Sequence, residues 1–180
     1  MTENEKPGRG LERTDEVQVV PYSPEYAADF QALNRQWIEQ YFRVEEPDSA
    51  VFADPYGAIV APGGEIFFVV SNGRALGTCA VIRQTESVFE LAKMAVSPEA
   101  QGRGYGDLLM QAAVDFSRRA GCQTLMLLSN TILEPALRLY AKHGFHHLPV
   151  EDKHGYSRAN VHMELSLRED DDDKSGALDQ

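Results

Sequence analysis

Apolar residues recur along this chain with two alternating periods, one of strands and one of helices. Residues 17–20 form a short β-branched run ended by Pro21. Ser23 and Pro24 then supply a helix start, a cap followed by a proline that the first turn tolerates. Behind them Phe30, Leu33, Trp37 and Tyr41 recur at three- and four-residue steps, an apolar stripe expected to pack in the core. A stretch punctuated by Pro47, Pro55 and Pro62 reads as loop, and residues 65–70 as a strand. Asn72-Gly73 predicts a two-residue hairpin turn. Its partner strand covers residues 74–83, and a further strand covers 88–96.

The second half alternates more regularly. Residues 104–120 predict a helix with Leu108, Leu109, Ala112, Ala113 and Phe116 on one face, stopped by Gly121. Residues 124–128 are almost wholly apolar, as expected of a strand covered on both sides. A helix over 133–143 ends at Gly144, and strands follow over 145–150 and 161–167. Consecutive antiparallel strands leading into a β–α–β–α–β half predict an α/β (α+β) fold, a mixed sheet with helices packed on it. The polar residues 1–15 predict a disordered arm, residues 16–168 one domain, and the acidic residues 169–180 a disordered tail.

Composition narrows the functional classes. The chain has 180 residues, 43% hydrophobic and 25% charged, enough for one domain with a substantial core. Its formal charge is −11, of which the two ends carry a large share, leaving about −5 between them. No broad basic footprint is present, which argues against nucleic-acid binding. No apolar run is long enough for a membrane helix, and no apolar segment follows the N-terminal charges as in a secretory signal. Cys79 and Cys122 sit in apolar sequence and read as buried thiols of a reducing, cytoplasmic setting. His143, His146 and His147 cluster in sequence, with His154 and His162 beyond, but no metal site is expected. A helix C-terminus is reason enough for His143.

The segment that carries chemistry is Gln101-Gly102-Arg103-Gly104-Tyr105-Gly106, placed between a strand and a helix. Its glycines allow a sharp turn and close approach of a ligand to backbone N–H groups. The helix start adds unpaired donors and the positive end of its dipole, together a receptor for phosphate or pyrophosphate. Arg103 adds a charge for the same anion. A dinucleotide fingerprint would need a third glycine where Asp107 stands, and a P-loop would need Gly-Lys-Ser/Thr.

Preceded by Glu90-Leu91-Ala92-Lys93-Met94-Ala95-Val96, this Gln-x-x-Gly-x-Gly pattern resembles the acetyl-CoA motif of the GNAT superfamily of N-acetyltransferases. Leu128-Ser129-Asn130, Ala136, Leu139-Tyr140 and Gly144-Phe145 resemble its second motif, and the likeness spans roughly residues 17–167, closest to uncharacterised bacterial members. It implies a mostly antiparallel six- to seven-stranded sheet, helices on both faces and splayed central strands, the strand over 90–96 leaving its neighbour near Asn130, often at a β-bulge. It implies acetyl-CoA as co-substrate, its pantetheine arm on the backbone of Met94, Ala95 and Val96 and beside Asn130. The pyrophosphate would lie on Gln101, Gly102, Arg103, Gly104, Tyr105 and Gly106. A backbone N–H near Met94 would face the oxyanion.

Tyr140 matches the family's general acid beside the CoA sulfur. Glu90, eleven positions before Gln101, is the candidate base, with alternation placing it on one face with Ala92, Met94 and Val96. The expected reaction is acetyl transfer to a primary amine of a small or amino-acid-like acceptor. The alternatives are a protein lysine or N-terminus as acceptor, or a non-catalytic acyl-CoA sensor. Acceptor contacts are expected from Trp37, Tyr41, Phe42, Glu45, Glu46, Asp48 and residues 151–160, and a homodimer is an expectation of the same resemblance.

Overall fold

A computed structural model describes residues 16–149 and 157–168. The chain runs through β1 (Val17–Pro21), α1 (Ala27–Tyr41), α2 (Glu46–Ala53), β2 (Glu65–Ser71), β3 (Arg74–Arg83) and β4 (Val88–Val96). It continues through α3 (Tyr105–Arg119), β5 (Thr124–Ser129), α4 (Glu134–Lys142), β6 (His146–Leu148) and β7 (Val161–Ser166). The seven strands form one sheet in the order β1-β2-β3-β4-β5-β7-β6. Among the described residues only β4 and β5 pair in parallel; every other neighbouring pair is antiparallel. The expected mixed, mostly antiparallel sheet is therefore present. The arm and the acidic tail foreseen at the two ends lie outside the described residues.

Both faces of the sheet are covered, and β2 shows how the sequence achieves it. Phe67 and Val69 pack with Val81, Phe89 and Leu91 under Leu109, Met110 and Ala113 of α3. Ile66, Phe68 and Val70 pack on the other face under Phe30 and Ile38 of α1 and Phe52 of α2. A strand apolar on both faces has no polar side to display, hence its unbroken run of hydrophobic residues. Phe30 meets Phe52 and Phe68 edge-on at centroid distances of 5.9 and 6.5 Å, the arrangement that ring quadrupoles favour. The hairpin turn has φ of 51° at Asn72 and 74° at Gly73, as a two-residue primed turn requires.

Two expectations fail in the first half. Tyr41 is 46% exposed, outside the core, because the buried stripe of α1 runs through Phe30, Leu33, Asn34 and Ile38. The segment read as loop from its prolines holds α2 and a π-helical turn at Tyr56–Val60. Pro47 lies in the first turn of α2, where its missing N–H costs nothing. That turn is closed by a reciprocal cap, in which the Glu45 N–H donates to Asp48 Oδ2 at 3.0 Å.

Candidate functional site

The parallel pair β4–β5 opens partway along. Val88, Phe89 and Glu90 pair with Thr124, Leu125 and Met126, and there the ladder ends. Yet β4 continues to Val96 and β5 to Ser129. From Leu91 to Val96 the edge of β4 facing β5 has no strand partner, while its other edge pairs with β3 on either side of Lys93 and Met94. The expected splay is thus present, and it frees backbone donors and acceptors along one strand edge. A cleft of about 730 Å³, solvent mouth included, passes through the sheet at this point. Its walls are Trp37, Ile38 and Phe42 from the α1 side, residues 90–94 and 128–130 from the two strands, and Tyr140 from α4.

A bulge accompanies the splay. Between Ala80 and Thr78 of β3 two steps are taken, and between their partners Ala92 and Ala95 three, so β4 carries one extra residue. The bulge overturns the alternation read from the sequence. Glu90, Ala92 and Ala95 lie opposite Ile82, Ala80 and Thr78 and share their face, whereas Val96 lies opposite Gly77 on the other. Met94 and Val96 pack against the α3-side core. Glu90 keeps its place on the cleft wall, and its Oε2 accepts a 2.6 Å hydrogen bond from Gln84 Nε2.

The bulge residue Lys93 has φ of 53° and an Nζ 2.6 Å from Asp48 Oδ1, the lysine side chain being 6% exposed and the aspartate 0%. Arg158 binds the same carboxylate with both guanidinium nitrogens, at 2.8 and 2.9 Å. It also lies 3.2 Å from Glu45 Oε1. Burial alone would raise the Asp48 carboxyl, but the bonds from Arg158 and Lys93 and from the Glu45 N–H outweigh it and hold its pKa at about 2. Sequence patterning gave no sign of this cluster. Its one local clue is the Glu45/Asp48 pair flanking Pro47, a capping-box spacing with acids in place of Ser and Glu.

The glycine loop divides its duties. Gly102 and Gly104 have φ of 75° and 79°, and a Cβ built on either meets nothing within 4 Å. They are glycines because the backbone is left-handed there, with open space above it. Gly106 differs: a Cβ there would stand 3.1 Å from Leu139 Cδ2, so its smallness lets α3 and α4 pack. Gly104 caps α3 without any side-chain cap, so no side chain takes up the first N–H groups of the helix. Tyr105 is 7% exposed, its ring in the core, so it presents backbone and not side chain at the loop. Gln101 turns inward, its Nε2 donating to the Val96 carbonyl at 3.2 Å. Arg103 is exposed.

Tyr140 is half-buried, 6.1 Å from the Phe145 ring centroid. Desolvation, with the neighbouring Cys79 adding to it, pushes its phenol up to about 12. Asn130 lines the cleft, and its amide is held within the chain: Nδ2 donates to the Arg158 carbonyl at 2.6 Å, and Oδ1 accepts from the Ile132 N–H at 3.0 Å. Both cysteines are free and buried, and burial raises both thiols, against a nucleophilic role. His143 Nε2 lies 2.8 Å from Asp107 Oδ1, which Lys142 also binds at 2.7 Å. Among the described residues no group of three or more His, Cys, Asp or Glu could hold a metal ion. His154 lies outside them. No helix among the described residues is long and apolar enough to cross a membrane.

Among the described residues the mixed sheet splits at its parallel β4–β5 pair, with the glycine loop between the split strand and α3. Comparison with known proteins identifies the family. The family model described as Acetyltransferase (GNAT) family matches residues 30–145. An uncharacterized N-acetyltransferase of Schizosaccharomyces pombe is 26% identical over 132 residues, 68% of this chain and 77% of that protein. A GNAT-family acetyltransferase of Staphylococcus aureus superposes with a TM-score of 0.78 at 14% identity, over 85% of this chain and 100% of its own. A Salmonella typhimurium protein solved with its cofactor acetyl-CoA gives 0.69 at 20% identity, over 85% and 95%. The chain belongs to the GNAT acetyltransferase family.

Proposed function

We propose that this protein transfers an acetyl group from acetyl-CoA to a primary amine of a small or amino-acid-like acceptor, by direct attack within the β4–β5 cleft. The observation that carries the reading is the cleft itself, which joins the α1 face of the sheet to Tyr140 on the opposite face through the splay. Donor and acceptor then approach from opposite sides and meet where β4 has parted from β5.

The residues fit the donor. Left-handed Gly102 and Gly104 and the uncapped start of α3 suit a pyrophosphate, and the free edge of β4 suits the amides of pantetheine. Tyr140, held near 12, stays protonated at neutral pH and donates a hydrogen bond to a departing thiolate whose parent thiol has pKa about 8.5. On the acceptor side Trp37, Ile38 and Phe42 give apolar walls, and Glu90 is the carboxylate available to take a proton, directly or through water. An alkyl ammonium of pKa about 10.4 must lose a proton before it attacks. Lys93 and Arg158 are committed to Asp48, so the wall adds no strong repulsion toward a cationic amine.

Thiol release from acetyl-CoA across a panel of small amines, amino acids, peptides and proteins tests this reading, alongside calorimetric binding of CoA. Turnover with small amines supports it. Turnover restricted to peptides or proteins moves the acceptor to a protein lysine or N-terminus, and tight CoA binding without turnover on any acceptor leaves an acyl-CoA sensor.

A further inference from the structure

Asn72 and Lys93 are the two non-glycine residues with positive φ among the described residues. Asn72 sits in a hairpin turn that calls for it. Lys93 sits in mid-strand, in a backbone region that disfavours an L-residue with a long side chain. In a regular strand Lys93 would follow Ala92 onto the opposite, α3-side face. The extra residue turns it toward α2, where its ammonium lies 2.6 Å from Asp48 Oδ1 and 5.8 Å from the centroid of the Phe52 ring. Asp48 cannot yield to meet it, being fixed by the cap of α2 and by Arg158. The ion pair and the bulge therefore require one another.

We propose that Asp48 and Lys93 form a clamp that holds β4 in its bulged form, the buried ion pair offsetting the left-handed backbone at Lys93. Lys93 is then a positioning residue. Its side chain is held by Asp48, and through that hold it sets the direction of the backbone groups at Lys93 and Met94, at the cleft wall. The same carboxylate ties three segments together: α2, the bulge of β4, and the strand-entry segment that carries Arg158. This inference rests on the reading of that edge as the acyl-CoA site.

Two substitutions separate backbone positioning from charge. Lys93→Met removes the ammonium but leaves an L-residue at φ of 53°; Lys93→Gly removes it and makes that φ cost-free. Neither leaves Asp48 unpaired, since Arg158 remains. Calorimetric affinity for acetyl-CoA is measured for both beside wild type, with thermal midpoints. The clamp predicts about a tenfold loss for Lys93→Met and affinity within about threefold of wild type for Lys93→Gly. Equal losses in the two variants overturn it, because charge and not backbone is then at work. So does unchanged acetyl-CoA affinity in Lys93→Met, whatever its thermal midpoint. A wild-type protein that binds no CoA ester overturns the acyl-CoA reading and the clamp with it; one that binds while the variants track together overturns the clamp alone.

Discussion

Replacing Gly104 by alanine asks whether the loop before α3 receives a pyrophosphate. Gly104 has φ of 79°, and its added methyl would meet nothing within 4 Å, so no packing term enters. What remains is the left-handed backbone, which costs an L-residue roughly 1–2 kcal/mol. The loop either bears that strain or relaxes, turning the N–H groups at the start of α3 away from the ligand. If binding must restore the native loop, acetyl-CoA affinity falls by about 5–30-fold, at 1.4 kcal/mol per tenfold. Initial rates give the assay, with acetyl-CoA and S-acetylpantetheine compared as donors. The second donor lacks the pyrophosphate, so its kcat/KM should change by less than about twofold. Gly106→Ala serves as contrast: its methyl would press on Leu139 at 3.1 Å, and it should lower the thermal midpoint while affecting both donors alike. Equal losses on the two donors with Gly104→Ala, or no loss on either, would refute the assignment of this loop.

Other outcomes follow from the same geometry. Tyr140→Phe should lower kcat by about 100-fold, within the usual range for a positioned acid, with little change in acetyl-CoA affinity; equal losses in both would leave it a packing residue. Because the phenol is held near 12, its ionisation should leave no descending limb in the kcat profile between pH 7 and 10. Glu90→Gln should shift the pH profile of kcat/KM for the amine, and an unchanged profile would point to another base. Asp48→Asn should cost about 3–5 kcal/mol at pH 7, since it breaks the buried ion pair with Lys93 and removes the carboxylate that Arg158 shares. With the carboxyl held near 2 when folded and about 3.9 when unfolded, its contribution is full above that unfolded value. It is lost as pH falls toward 2. Urea titrations should therefore show the gap between wild type and Asp48→Asn narrowing by roughly 2–3 kcal/mol from pH 7 to pH 2.

The parts of this structure legible in the sequence are those set by local chemistry. The strand and helix periods, the Asn72-Gly73 turn and the glycine loop follow from residue preferences within a few positions of chain, and they appear where expected. The splay was legible only through resemblance, because the residues after Glu90 that lose their β5 partner look like any others in the strand. The bulge too was legible only through resemblance, and its position was not: nothing in Leu91-Ala92-Lys93-Met94 marks Lys93 as left-handed, since a partner in α2 decides it. From that one extra residue follows the misplacing of Met94 and Val96 on the face of Glu90. Helix α2 was hidden by its prolines, although a proline in a first turn is no obstacle. Asp48, expected in a loop among the acceptor contacts, is wholly buried off the cleft wall, because Lys93 and Arg158 come to it from distant parts of the chain.

The most direct test is the rate of thiol release from acetyl-CoA with small primary amines, the acetylated product identified by mass. Amine-dependent release that saturates in both substrates, and that collapses in Tyr140→Phe while CoA binding persists, is the predicted result. Wild-type protein that binds no CoA ester by calorimetry and releases no thiol with any amine contradicts it.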